Sequence, residues 1–137
     1  MRSLFVPFFM WFTLLGPSAC QRTYTPPSIP APPSVSAEEQ KKGAELFAQH
    51  CARCHGISGW GDGPDAFLSR RFRVQDLGDP MWQANASNDR IVAAILRGGL
   101  GVRKSSAMPA FPQFTPNRKE LDGLVAHIRS LVRETAK

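Results

Sequence analysis

One five-residue run constrains this chain more than any other feature: Cys51-Ala52-Arg53-Cys54-His55. Two thiols three residues apart, with an imidazole directly after the second, admit few chemistries. They can add to the two vinyl groups of one porphyrin while the histidine is held against the iron, which is the C-x-x-C-H pattern of covalent haem c attachment. They can form half of a zinc site, or a dithiol redox pair. Zinc needs a second pair of ligands. Only Cys20, His50 and His127 remain, and none lies in a second C-x-x-C. A redox pair belongs in a βαβ setting, and no stretch here alternates apolar and polar residues like a strand. The run therefore points to one covalently bound haem c, with Cys51 and Cys54 as attachment points and His55 as an iron ligand.

The chain has three cysteines, so Cys20 is left over. Arg2, then a mostly apolar run over 4–15 interrupted by Pro7 and Thr13, then Gly16-Pro17-Ser18-Ala19, have the layout of an export signal. The apolar run is short for a membrane span. Small residues just before Cys20 resemble the lipobox of bacterial lipoproteins, with Pro17 where such signals favour Leu. That resemblance implies a lipidated Cys20 as the new N-terminus. Ordinary secretory cleavage or an uncleaved anchor are the alternatives. Residues 21–35 hold a cluster of prolines and read as an extended spacer. At ~3.1 Å per residue it reaches roughly 45 Å. The expected organisation is a signal over 1–19, a lipidated Cys20 and Pro-rich linker over 20–35, and one domain over 36–137. The product is exported and membrane-tethered, facing the periplasm or the outer surface of the cytoplasmic membrane. Gln21 rather than Asp after the cysteine leans, by the same resemblance, towards an outer membrane.

Net charge is +6, with the basic residues scattered. That distribution suits an acidic protein face and matches no nucleic-acid module. Within the domain, Ser36-x-x-Glu39 signals a capping box, opening a helix to about residue 50 with Ala44, Phe47 and Ala48 inward. Residues 56–86 read as loop with a helical turn near 64–70. Ser87 caps a second helix over 88–97, stopped by Gly98-Gly99. Thr115-Pro116 opens a third, with Leu121, Leu124, Val125, Ile128, Leu131 and Val132 on one side. The fold class is all-α, three main helices with long loops.

In order along the chain stand Gly43-Ala44-Glu45-Leu46-Phe47, the C-A-R-C-H-G run, Gly61-Asp62-Gly63-Pro64, Asp76-Leu77, Ile91, Ile95, Gly98, Met108-Pro109-Ala110-Phe111 and Ile128-Arg129-Ser130-Leu131. This set resembles the bacterial branch of class I cytochrome c over about residues 37–132. The resemblance implies terminal helices that cross near the haem. Gly43 permits their close approach, Phe47 packs at the crossing, and His127 stands in the usual aromatic position. His50 is a surface or helix-end residue. The resemblance also implies Met108 as second axial ligand, with Met81 a packing residue beside Trp82, and the Pro64 carbonyl as acceptor for the second ring nitrogen of His55. Trp60, Trp82, Phe67, Phe72, Phe111 and Phe114 are candidate haem walls, each equally readable as plain core. Arg70, Arg71 and Arg73 are candidate propionate partners or a solvated basic loop. Lys41, Lys42, Arg53, Arg103 and Lys104 are expected to ring the exposed haem edge.

The implied function is single-electron transfer between donor and acceptor proteins of a respiratory chain, with no catalysis of its own. A fixed haem subunit of a membrane complex is the alternative. An open-iron peroxidase or ligand sensor is a distant third, because no distal acid–base histidine is evident.

Overall fold

The computed structural model describes residues 28–69 and 73–134. The expected signal, Cys20, the first part of the linker, and Arg70, Arg71 and Phe72 lie outside the described residues. Five α-helices follow in order: α1 (Ala37–His50), α2 (Ala52–His55), α3 (Pro80–Asn85), α4 (Asn88–Gly101) and α5 (Arg118–Ser130). Short 3₁₀ turns lie at Ala66–Ser69 and Pro112–Phe114. The described residues contain no strand. The arrangement is all-α and consistent with a class I cytochrome c-like layout. No described helix is long and apolar enough to cross a membrane.

Local chemistry sets the helix boundaries. The Ser36 hydroxyl accepts from Glu39 N at 3.2 Å and the Glu39 carboxylate accepts from Ser36 N at 2.8 Å, so the capping box is complete. Ser87 caps α4 through Arg90 N at 3.1 Å. Two expectations need correction. Helix α5 starts later than Thr115-Pro116: its cap is Asn117, whose side-chain oxygen accepts from Glu120 N, while Thr115 closes the 3₁₀ turn instead. Helix α3 lies within the 56–86 span expected to be loop. Asp79 caps it through Met81 N at 2.9 Å, with Pro80 in its first turn. One and a half turns leave too little periodicity for a sequence pattern to register.

The core lies between α1, α4 and α5, built from Leu46, Phe47, Ile91, Ile95, Leu124, Val125 and Ile128. Full burial of a side chain such as Phe47 or Leu124 contributes roughly 1.5–3 kcal/mol. Ala48 faces solvent and Leu46 takes the inward place expected of it. Helices α1 and α5 cross through paired glycines. A Cβ at Gly43 would collide with the Gly123 carbonyl, and one at Gly123 with the Glu39 carbonyl. The Phe47 and His127 rings pack at this crossing, centroids 5.1 Å apart, as the resemblance implied.

Two polar side chains sit wholly inside. Gln83 Nε2 donates to Leu77 O at 2.7 Å and to Ile128 O at 2.8 Å. Arg129 donates to Gln83 O at 2.6 Å, Gln83 Oε1 at 2.8 Å, Ala86 O, and Asn88 Oδ1 at 2.9 Å. A buried charge is tolerated when it is well hydrogen-bonded, and with all three of its nitrogens engaged Arg129 ties α3 and α4 to α5. Asn88 Nδ2 also donates to Ala31 O at 2.8 Å, which holds part of the Pro-rich segment against the domain.

Gly123→Ala gains up to ~1 kcal/mol of helix propensity but drives a methyl into backbone that has nowhere to go. A net loss of about 1–3 kcal/mol is expected, read as a lower melting temperature of the intact chain. Burial lowers the pKa of His127 below its usual 6.5, so the unfolded chain takes up its proton first. The stability tied to this neutral imidazole is complete above pH ~6.5 and falls as pH drops towards the folded pKa. Melts between pH 7.5 and 5 should show a shallower acid-side slope in His127→Phe than in the wild type.

Candidate haem-attachment site

The motif turn begins where α1 ends. Cys51 closes α1, with its N–H donating to Phe47 O at 2.8 Å, and opens α2. Cys54 and His55 follow on the single turn of α2, so both thiols and the imidazole lie within five residues. The carbonyls at the end of this turn are satisfied by the next loop. Gly61 N donates to His55 O at 2.7 Å, Gly63 N to Cys54 O at 3.2 Å and Asp65 N to Arg53 O at 2.8 Å. This wrap needs glycine. Gly56 has φ +77°, and a Cβ at Gly63 would strike the Ala52 and Arg53 carbonyls.

His55 Nδ1 lies 3.0 Å from the carbonyl oxygen of Gln75. That corrects the expectation for Pro64, which sits exposed in the turn after the motif and lines a shallow groove with Ala48, Ala52, Ile57 and Gly63. The chain returns to the histidine twenty residues on, through residues 73–78, instead of through the nearby Gly-Pro. With Nδ1 engaged as donor, Nε2 is the nitrogen left to bind iron. Burial lowers the pKa of His55, partly offset by the bond to Gln75. The imidazole is therefore neutral at pH 7, the form that ligates metal.

Cys51 and Cys54 are not joined to each other by a disulfide. Burial, with a smaller contribution from Cys54, pushes the Cys51 thiol up to about 11. Redox-active dithiols run the other way, with a depressed thiol pKa, so the electrostatics disfavour a thioredoxin-like pair. Among the described residues no group of three or more His, Cys, Asp or Glu side chains could hold a metal ion, and the zinc reading finds no further ligands. The donor set fits haem c: two thiols on one turn and a neutral imidazole with one nitrogen committed.

Met108 is half-buried in the loop after α4. That loop is tied to the end of α4 by backbone bonds: Gly99 N to Met108 O at 3.0 Å, Lys104 N to Gly99 O at 2.8 Å and Phe111 N to Ile95 O at 2.8 Å. Gly98, at φ +69°, breaks the helix as expected, and a Cβ there would press on the Met108 carbonyl. A Cβ at Gly99 would collide with the Ser105 carbonyl. Both glycines serve one purpose, letting the methionine loop lie directly on α4.

The surrounding candidates divide. Phe114 is buried and Phe111 half-buried, stacked on one another and against His50, whose ring is 5.7–5.8 Å from each. His50 is otherwise exposed at the end of α1, as expected. Trp82 packs on the core. Trp60 lies under the Arg133 guanidinium, 5.5 Å from its ring centre. Phe67 and Met81 are exposed, as is Arg73. Of the five cations expected around the haem edge, Arg53 pairs with Asp65 at 2.9 Å and Lys42 with Glu45 at 3.6 Å. Their charges are partly spent locally. The sequence reading missed Gln75, whose contribution is a backbone carbonyl and so leaves no mark in residue type.

Residues 38–128, more than half of the chain, match the family model for cytochrome c oxidase, cbb3-type, subunit III. A curated relative, the cbb3-type cytochrome c oxidase subunit FixP of Azorhizobium caulinodans, is 33% identical over 92 residues, covering 66% of this chain and 27% of the relative. The chain thus spans about a quarter of that relative's length. The family implies bound haem c, and the matched span takes in Cys51, Cys54, His55 and Met108. With the Cys51 and Cys54 pair, the neutral His55 and the all-α frame already in place, this chain is a bacterial c-type cytochrome domain and belongs to the family of cytochrome c oxidase, cbb3-type, subunit III.

Proposed function

We propose that this chain transfers single electrons within a membrane respiratory complex, as the haem c component serving a cbb3-type cytochrome c oxidase or a close relative of one. The observation that carries this reading is the commitment of His55 Nδ1 to the Gln75 carbonyl beside the Cys51 and Cys54 pair, in a chain of this family. When bound, haem c supplies a reversible one-electron Fe(III)/Fe(II) couple. Cys51 and Cys54 would hold the porphyrin through thioethers, and His55, through Nε2, and Met108 would ligate its iron; a His/Met pair raises the potential. The loop bonds to α4 support this role for Met108, since they fix its backbone before any ligand bond forms. Cys20 is the proposed lipid anchor, which keeps the domain on the membrane.

The match to an oxidase subunit favours a fixed component over a freely diffusing carrier. Retention of the chain with an oxidase through detergent purification supports the fixed component. Its recovery alone in every fraction supports the carrier.

The deciding test is the optical spectrum of the matured, oxidised chain. The wild type should show the weak near-infrared band of methionine-to-iron coordination. Met108→Ala should abolish that band and lower the potential, while Gly99→Ala, by displacing the loop, should weaken it. A wild type with no such band and a high-spin spectrum would overturn the reading in favour of an open iron, with peroxidase or ligand-binding chemistry.

A further inference from the structure

The carbonyl that orients His55 belongs to a stretch with no helix or strand of its own, residues 73–79. Something else must hold it. From one side, Leu77 N donates to Gly59 O at 2.7 Å. Within the turn, Gly78 N donates to Asp76 Oδ1 at 2.9 Å. From the other side comes Arg133, three residues beyond the end of α5. Its Nη2 donates to Asp76 Oδ2 at 2.7 Å and its Nη1 to Asp76 Oδ1 at 3.2 Å. Its backbone N–H donates to Gly78 O at 3.0 Å, and its guanidinium lies over Trp60.

We propose that Arg133 is a positioning residue for the haem ligand: its forked pair with Asp76 fixes the direction of the Gln75 carbonyl and thereby sets how strongly His55 binds iron. This inference rests on the proposed ligation by His55.

The Gln75 carbonyl and the Asp76 N–H share one rigid peptide plane. Whatever fixes the backbone and side chain of Asp76 therefore limits where Gln75 O can point. The forked pair holds both carboxylate oxygens at once, and a guanidinium fork imposes orientation where a lysine imposes only charge. The stack on Trp60 fixes the fork in turn. Exposed ion pairs contribute only ~0–1 kcal/mol to stability, and 40% of the Arg133 side chain is exposed. The pair is thus a weak source of stability and a good source of direction.

The consequence has a definite sign. A well-aligned Nδ1–H···O bond raises the basicity of the ligating nitrogen. A more basic ligand favours Fe(III). Loosening Arg133 lets Gln75 O wander, weakens that bond and favours Fe(II). Simple removal of a positive charge acts oppositely, because it favours the more positive iron. The sign of the shift therefore separates positioning from electrostatics.

The test is a redox titration of the haem-loaded chain with Arg133→Gln, Arg133→Lys and Arg133→Gln in an Asp76→Asn background. Arg133→Gln should move the Fe(II)/Fe(III) ratio about two- to fivefold towards Fe(II) at fixed applied potential, with little change in melting temperature. Arg133→Lys should move it the same way, since the fork is lost though the charge stays. In the Asp76→Asn background Arg133→Gln should add no further shift. The His55 Nδ1 proton should exchange with solvent faster in both single variants. A shift towards Fe(III), full rescue by lysine or an unchanged ratio overturns the proposal. The ligand reading is checked separately on ¹⁵N-histidine-labelled ferric protein. Paramagnetically shifted ring signals that persist in His50→Gln and His127→Phe assign ligation to His55, and a negative Arg133 result then counts against Arg133 alone. Loss of those signals in either variant overturns both readings.

Discussion

The contact on which the remaining architecture depends is the backbone-to-backbone crossing of α1 and α5 at Gly43 and Gly123. Two helices that approach without intervening side chains have a single workable register. That register seats Phe47 against His127 and buries Leu124 and Val125 completely. It also sets where the end of each helix lies in space. Helix α1 ends at Cys51, so the crossing positions the motif turn. Helix α5 leads to Arg133, so the same crossing positions the residue that grips the 75–78 turn. One glycine pair thus places both sides of His55.

A second organising element is polar. The Gln83–Arg129 cluster links α3, α4 and α5 with every Gln83 amide group and every Arg129 nitrogen engaged. Burying a guanidinium without a carboxylate is costly. The cost is offset by the Gln83 and Ala86 carbonyls at the C-terminal end of α3 and by the side-chain oxygens of Gln83 and Asn88. Such a cluster specifies one arrangement of the short helices around the site, where apolar packing alone would tolerate several.

Electron transfer asks for a site that changes little between two oxidation states. The features around His55 and Met108 share that character. The histidine is held through its second nitrogen, and the methionine loop is bonded to a helix end at three backbone positions. Both placements run through hydrogen bonds to backbone groups. The wrap of Gly56, Gly61 and Gly63 around the motif serves the same purpose, satisfying the carbonyls of α2 without added bulk.

Residue type and spacing alone determined several features of the described residues: Cys51, Cys54 and His55 within one short run, an all-α arrangement, capping at Ser36 and Ser87, and the glycine break within α4. These are local properties, written in neighbouring residues. Helix α3 is too short to leave a periodic signal, Thr115-Pro116 offers a rival start to the Asn117 cap of α5, and the inward turn of Leu46 is settled by packing against distant chain. The acceptor for His55 is the clearest case. Sequence pointed to Pro64, close by, and the fold supplied the Gln75 carbonyl. Every residue carries a carbonyl, so no side chain announces which one a ring nitrogen will meet; only the tertiary path of the backbone decides it.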